Sequence, residues 1–284
     1  MKKRTKSILV SICIVAFLAI LTIPCFLYEP LNLWIKYSIL KDPSALNRKA
    51  DILFKQEDYE GARKFYWKAY SEAKESNDIR ARFQAISAIH DLITKWYKLK
   101  QYGKSIDAAE VALEDDPKNF VALEYLGKNY DALKNYEKAF LYYSRFVPDE
   151  ILNTKHQSKE VEEKKEWYEE IDAHRYDDAV FKLALFYTYG QGCSIDLSKA
   201  ANLWQYLDNL KSSSASYNLA LCYLNGEGVP EDDVKAFQLC KKAADRGNKS
   251  AMKLLSKLYS AGIGCAKSEE AANHWKELAE EAAD

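Results

Sequence analysis

Apolar residues recur along this chain every three or four positions, in short runs that come in pairs separated by turns. "YNLALCYL", residues 217–224, is apolar on most sides and carries the small Ala220 where a partner helix can come close. "VKAFQLCKKAAD", residues 234–245, places Ala236, Leu239 and Ala243 at i, i+3 and i+7, which predicts a second helix lying against the first. Between them Gly226 and Gly228 reverse the chain, Asp232 stands where a side-chain oxygen can cap a helix, and Gly247 follows as a stop. The predicted unit is a helical hairpin. Only Ile8–Tyr28 breaks the pattern, being apolar on every side.

The hairpin repeats. "YGQGCSIDLSKAANLW" begins at Tyr189, "NGEGVPEDDVKAFQLC" at Asn225 and "AGIGCAKSEEAANHWK" at Ala261, each 36 residues after the last. Gly190, Gly226 and Gly262 fall in register, as do Gly192, Gly228 and Gly264. Asp196, Asp232 and Ser268 share the capping position, and Leu183, Leu219 and Leu255 precede Tyr187, Tyr223 and Tyr259. A Gly-x-Gly before a helix can cradle a phosphate, but a phosphate loop occurs once per nucleotide site. Three copies at one hairpin period are structural turns.

These residues resemble the Sel-one-like repeat, with "NLALCYLNGEGVPEDDVKAFQLCKKAADRG" the nearest copy. Cys193 and Cys265 stand where that family favours Val, and Ser268 replaces its acidic cap. A cysteine-rich branch of the family joins successive helices by disulfides and has been linked to penicillin-type ligands. The paired cysteines of that branch are missing here, so its activity does not carry over. Upstream, Tyr102 and Tyr136, and likewise Ser105 and Ala139, lie 34 residues apart. That period resembles the tetratricopeptide repeat. An earlier unit holds Ala50, Leu53, Tyr59, Ala62, Tyr66 and Ala69, and extra residues around "KESNDIRAR" predict lengthened helices there.

The expected fold is therefore all-α, a right-handed α/α solenoid of tetratricopeptide-like and Sel-like hairpins with one N-terminal transmembrane helix. Its expected divisions are a cytoplasmic stub and anchor (1–29), an interfacial juxtamembrane helix (30–43), three tetratricopeptide-like repeats (44–150), a charged connecting helix (151–177) and three Sel-like repeats (178–284).

Residues 8–28 carry no charge and match a hydrocarbon core about 30 Å thick. "LTIPC" suits no ordinary leader cleavage, so the run is read as an uncleaved anchor; a cleaved leader and a buried helix are the other readings. Lys2, Lys3, Arg4 and Lys6 outweigh Lys36 and Lys41, which places the N-terminus in the cytoplasm and the body across the membrane, periplasmic in a bacterium. There a Cys222–Cys240 disulfide would be allowed, with buried free thiols as the alternative.

With 41 basic and 42 acidic residues the net charge is −1, which speaks against nucleic acid as a partner. No zinc spacing links the cysteines and histidines, and no cofactor is expected. The pairs Glu169-Glu170 and Asp177-Asp178 lie in charge-rich surface, and the serines of "KSSSAS" have no histidine nearby. No catalysis is expected. Stacked hairpins bind along their first helices. The candidate face comprises Phe181, Leu185 and Thr188, then Tyr217, Leu221 and Leu224, then Lys253, Lys257 and Ser260, with Glu124, Lys128 and Asp131 on the last tetratricopeptide-like hairpin. It would receive an apolar or amphipathic peptide with an acidic end; the alternative is that Phe181, Leu185 and Leu221 pack between repeats.

The expected function is a membrane-anchored adaptor docking other proteins, among them membrane or envelope components, with a homo-oligomer through the basic face as a further arrangement. The rival is an envelope ligand-binding or hydrolytic factor akin to the cysteine-rich branch.

Overall fold

The structure is a computed structural model that describes residues 42–152 and 176–282. The anchor at 8–28, most of the interfacial stretch 30–43 and the centre of the connecting segment 151–177 lie outside the described residues. Among the described residues no helix is long and apolar enough to cross a membrane.

All regular structure described is helical. The chain divides into two compact units, Met1–Ala112 and Leu113–Asp284. In the first, α1 (Pro43–Lys55), α2 (Tyr59–Glu75) and α3 (Ile79–Lys98) follow one another through tight turns, and α4 (Tyr102–Asp115) begins. Asp42, Asp58 and Asp78 each cap the helix that follows through a side-chain oxygen. Small residues set the helix crossings: Ala50, Ala62, Ala69, Ala73, Ala81 and Ala85 are fully buried. α2 and α3 run to 17 and 20 residues, against 13 for α1. The buried Ser105 hydroxyl donates to the Ile93 carbonyl at 2.9 Å, satisfying a polar group at the α3–α4 crossing.

The second unit is a short α/α solenoid. It comprises α5 (Phe120–Ala132), α6 (Tyr136–Phe146), the single turn α7 (Asp149–Leu152), and then the hairpins α8–α9 (Asp177–Tyr189, Leu197–Asn209), α10–α11 (Ser213–Asn225, Asp233–Asp245) and α12–α13 (Lys249–Ala261, Glu269–Glu281). One backbone hydrogen bond closes all four hairpin loops. The capping residue's N–H donates to the carbonyl of the last conserved-register tyrosine: Asn135 to Tyr130, Asp196 to Tyr187, Asp232 to Tyr223 and Ser268 to Tyr259. The capping side chains then accept from Lys138, Lys199, Lys235 and Ala271 N–H groups. In the first three hairpins the lysine three residues after the cap lies over that same tyrosine ring, at 4.9, 5.2 and 5.0 Å from the centroid.

The two glycines of each Gly-x-Gly do different work. Gly190, Gly226 and Gly262 end α8, α10 and α12 in the left-handed conformation. The second glycines are contact points. A Cβ on Gly192 would sit 2.1 Å from the Tyr136 carbonyl oxygen, one on Gly228 2.1 Å from that of Leu197, and one on Gly264 2.0 Å from that of Asp233. Those carbonyls belong to the start of the second helix of the preceding hairpin. Each loop is therefore pressed main chain to main chain onto its neighbour, which no side chain would allow.

All four described cysteines are free thiols. Cys222 and Cys240 are buried, and the Cys240 thiol donates to the Ala251 carbonyl of the next hairpin at 3.3 Å, so the alternative of two buried thiols is the one the structure holds. Burial pushes the Cys240 thiol up to about 12 and the Cys222 thiol up to about 11. Reaction with a thiol-specific reagent at pH 8, read by peptide mass mapping, is expected to label Cys193 and Cys265 first and the buried pair only on unfolding. An unfolded thiol ionises near pH 9. Above that pH the unfolded chain holds fewer protons than the folded one, so stability is complete below pH 9 and falls as pH rises toward 12.

Candidate functional site

The first helices of the second and third hairpins of the solenoid, α8 and α10, border a cleft of about 460 Å³. Leu185 and Thr188 enter it from α8 and Leu221 from α10, with Trp204 of α9 also in its wall. At its edge stand Tyr189 and Ile195, 67% and 63% exposed, in the loop that Gly190 and Gly192 shape. Asn218, Asn225 and Glu227 supply polar groups around this apolar lining. An apolar cleft with a few placed polar groups suits an apolar side chain presented by another chain. The Thr188 hydroxyl is already used, donating to the Ala184 carbonyl at 2.8 Å.

The other residues of the candidate face are spread over the unit. Phe181 stands edge-on to Trp204 at 4.9 Å, inside its own hairpin. Tyr217 and Leu224 pack against the buried cluster of Ala220, Cys240, Ala243, Leu255 and Leu258 that joins the third and fourth hairpins. Lys253 and Lys257 are exposed on α12. On α5, Glu124 and Lys128 pair at 2.6 Å, and Asp131 reaches Lys182 of α8 at 2.7 Å. Burial alone would depress the Lys128 ammonium, but the Glu124 carboxylate outweighs it and the net shift is upward. The Asp131–Lys182 pair therefore ties the first hairpin to the second, while Glu124 and Lys128 pair within α5.

One cluster in the unit escapes a reading of hairpin periodicity. Asp208 of α9 is only 3% exposed. It accepts from the Ser216 hydroxyl of α10 and from the Lys242 ammonium of α11 at 2.7 Å, with the Arg246 guanidinium 3.7 Å away. Arg246 also donates to Ser216 at 3.2 Å. The 36-residue register aligns Asp208 with Ala244, a buried apolar position in the next hairpin. A charge at a position otherwise apolar was the available signal. The cluster links three helices, so its work is structural. Among the described residues no group of His, Cys, Asp and Glu is arranged to hold a metal ion.

Repeated hairpins, capped alike and, in the last three, docked on the preceding hairpin through the second loop glycine, define the class: an all-α helical-repeat protein. Residues 120–146, 177–206, 213–248 and 249–284 each match the Sel1 repeat. The chain therefore carries four Sel1 repeats. The match at 120–146 takes in the α5–α6 hairpin, which lacks Gly-x-Gly but has the same cap, tyrosine and lysine geometry as the others. A Sel1 repeat protein from Oxalobacter formigenes, solved by crystallography, is 23% identical over 84% of this chain and 85% of its own, with a TM-score of 0.45. The crystal structure of c5321, a protective antigen present in uropathogenic Escherichia coli strains and displaying an SLR fold, is 17% identical. That match covers 89% of this chain and 64% of c5321, with a TM-score of 0.39. No curated protein matches the chain. Sel1-repeat proteins are generally scaffolds for protein interaction.

Proposed function

We propose that the protein is a membrane-anchored adaptor that docks a partner protein in the cleft between α8 and α10. The observation carrying this reading is the cleft itself: Leu185, Leu221 and Trp204 line it while Tyr189 and Ile195 stand exposed at its edge. Tyrosine and aliphatic side chains held at the mouth of a preformed apolar cleft are what a partner's side chain would bury against. Residues 8–28 supply the anchor, with the repeats on the extracytoplasmic side and envelope or membrane proteins as partners. Confinement to one membrane raises the effective concentration of a partner held there too.

Two measurements test this. A photocrosslinking amino acid at Tyr189 or Ile195 in living cells is expected to trap a discrete partner, and Leu221→Asp should abolish that product by putting a charge into the apolar cleft. An unchanged crosslink pattern in Leu221→Asp would remove the cleft from the interaction. Protease treatment of intact spheroplasts, with a tag after Asp284, is expected to digest the repeats; protection until permeabilisation would place them in the cytoplasm.

A further inference from the structure

The first unit carries a second cavity, remote in sequence from the Sel1 repeats. It is a groove of about 730 Å³ between α1 and α3. Asn47 of α1 lies in its wall and is 4% exposed; its Nδ2 donates to the Ala81 carbonyl at 3.0 Å, and its Oδ1 has no partner. A buried acceptor left open beside a groove is costly unless something donates to it. Phe83 is 75% exposed at the groove, with Phe54 across from it on α1. An aromatic so exposed in a cavity lining is unfinished apolar surface.

The charges around the groove are sorted. Tyr66 donates to Asp51 at 2.7 Å, so that carboxylate already has a partner within the protein. Arg48 and Arg80 are exposed in the lining and make no ion pair among the described residues. Guanidinium groups held beside an apolar patch favour a carboxylate, which they can bind through paired hydrogen bonds.

We infer that this groove is a second binding site, for an extended peptide that sets an acidic residue beside an aromatic or large aliphatic one. Its apolar side chain covers Phe83 and Phe54, and its carboxylate meets Arg48 and Arg80. An anionic bilayer shares the attraction to arginine and phenylalanine. It fits less well, because a flat surface does not fill a groove. The site is independent of the cleft between α8 and α10.

The test is selection of a random octapeptide phage library on the full-length chain in neutral detergent. Bound peptides are expected to carry Asp or Glu within a few residues of Phe, Tyr or Leu. For a dye-labelled selected peptide, the double variant Arg48→Glu, Arg80→Glu should weaken binding about tenfold or more with the melting temperature unmoved, since both residues are exposed. Leu221→Asp should leave that peptide's affinity unchanged. The inference fails if no peptide is selected, if selected peptides lack acidic residues, or if the double variant binds them normally. Peptides sensitive only to Leu221→Asp would report the other cleft and count against this one. Loss of binding to phosphatidylserine vesicles, with peptide binding intact, would assign the arginines to a membrane surface and overturn the peptide site.

Discussion

Replacing Gly228 by alanine is expected to destabilise the repeat array by about 2–4 kcal/mol, from a left-handed backbone penalty of about 1–2 kcal/mol and a steric term of similar size. Gly228 has φ of +76°, and the new methyl would fall 2.1 Å from the Leu197 carbonyl oxygen. That oxygen is main chain at the start of α9, so relief requires the α8–α9 and α10–α11 hairpins to separate. Gly226→Ala is the matched control. Its φ of +67° is as unfavourable for alanine, but the nearest atoms are 3.7 Å away. It should cost about 1 kcal/mol. Thermal unfolding followed by circular dichroism should show a drop of roughly 10 °C for Gly228→Ala and a few degrees for Gly226→Ala. Equal drops for the two variants would mean that backbone conformation, and not contact between repeats, is what the second glycine provides.

Asp208→Ala should cost about 2–3 kcal/mol. The carboxylate is buried and receives the Ser216 hydroxyl and the Lys242 ammonium, so truncation leaves Ser216 without its stronger partner. The cations fare better. Lys242 and Arg246 keep 40% and 27% of their side chains exposed and can return to water, which holds the cost below that of a fully enclosed pair. Lys242→Ala alone should cost about 1–2 kcal/mol, because it takes the direct ion pair from a buried carboxylate and leaves Arg246, 3.7 Å away, as the remaining cation. Adding Ser216→Ala to Asp208→Ala should recover part of the loss, because the pair then turns as apolar as Ala244 and Met252, which hold the same register one hairpin later. A denaturant-melt cycle over the single and double variants measures the coupling. A coupling of zero between residues 208 and 216 would show that the short contact contributes nothing.

The hairpins were legible because each rests on local chemistry that recurs. Caps at Asp196, Asp232 and Ser268, glycines at fixed offsets and alanines at helix crossings are each set by a few neighbouring residues, and 36-residue repetition makes the pattern plain. The separate task of the second glycine was not legible, since φ > 0 explains both glycines and only the neighbouring repeat tells them apart. The candidate face shows the same limit. Leu185, Thr188 and Leu221 converge on one cleft, whereas Tyr217 and Leu224, at similar wheel positions, pack into the junction of the next two hairpins. Which side of a first helix stays open depends on how its neighbours stack. Asp208 and the groove beside Asn47 went unread because their partners lie at distances such as 34 residues, where helical periodicity says nothing about which side chains meet.

The loop contact formed by Gly192, Gly228 and Gly264 has a consequence for how such a chain grows. Both sides of it are main chain, so it is blind to the residues that flank it. Gly192 docks on the start of α6, in a hairpin that has no glycine pair of its own, as readily as Gly264 docks on α11. A copied hairpin would carry its own plug and its own socket, and could be spliced in without any change to its neighbours. Gene duplication can then lengthen the array one cassette at a time, leaving the outward-facing side chains free to diverge toward new partners.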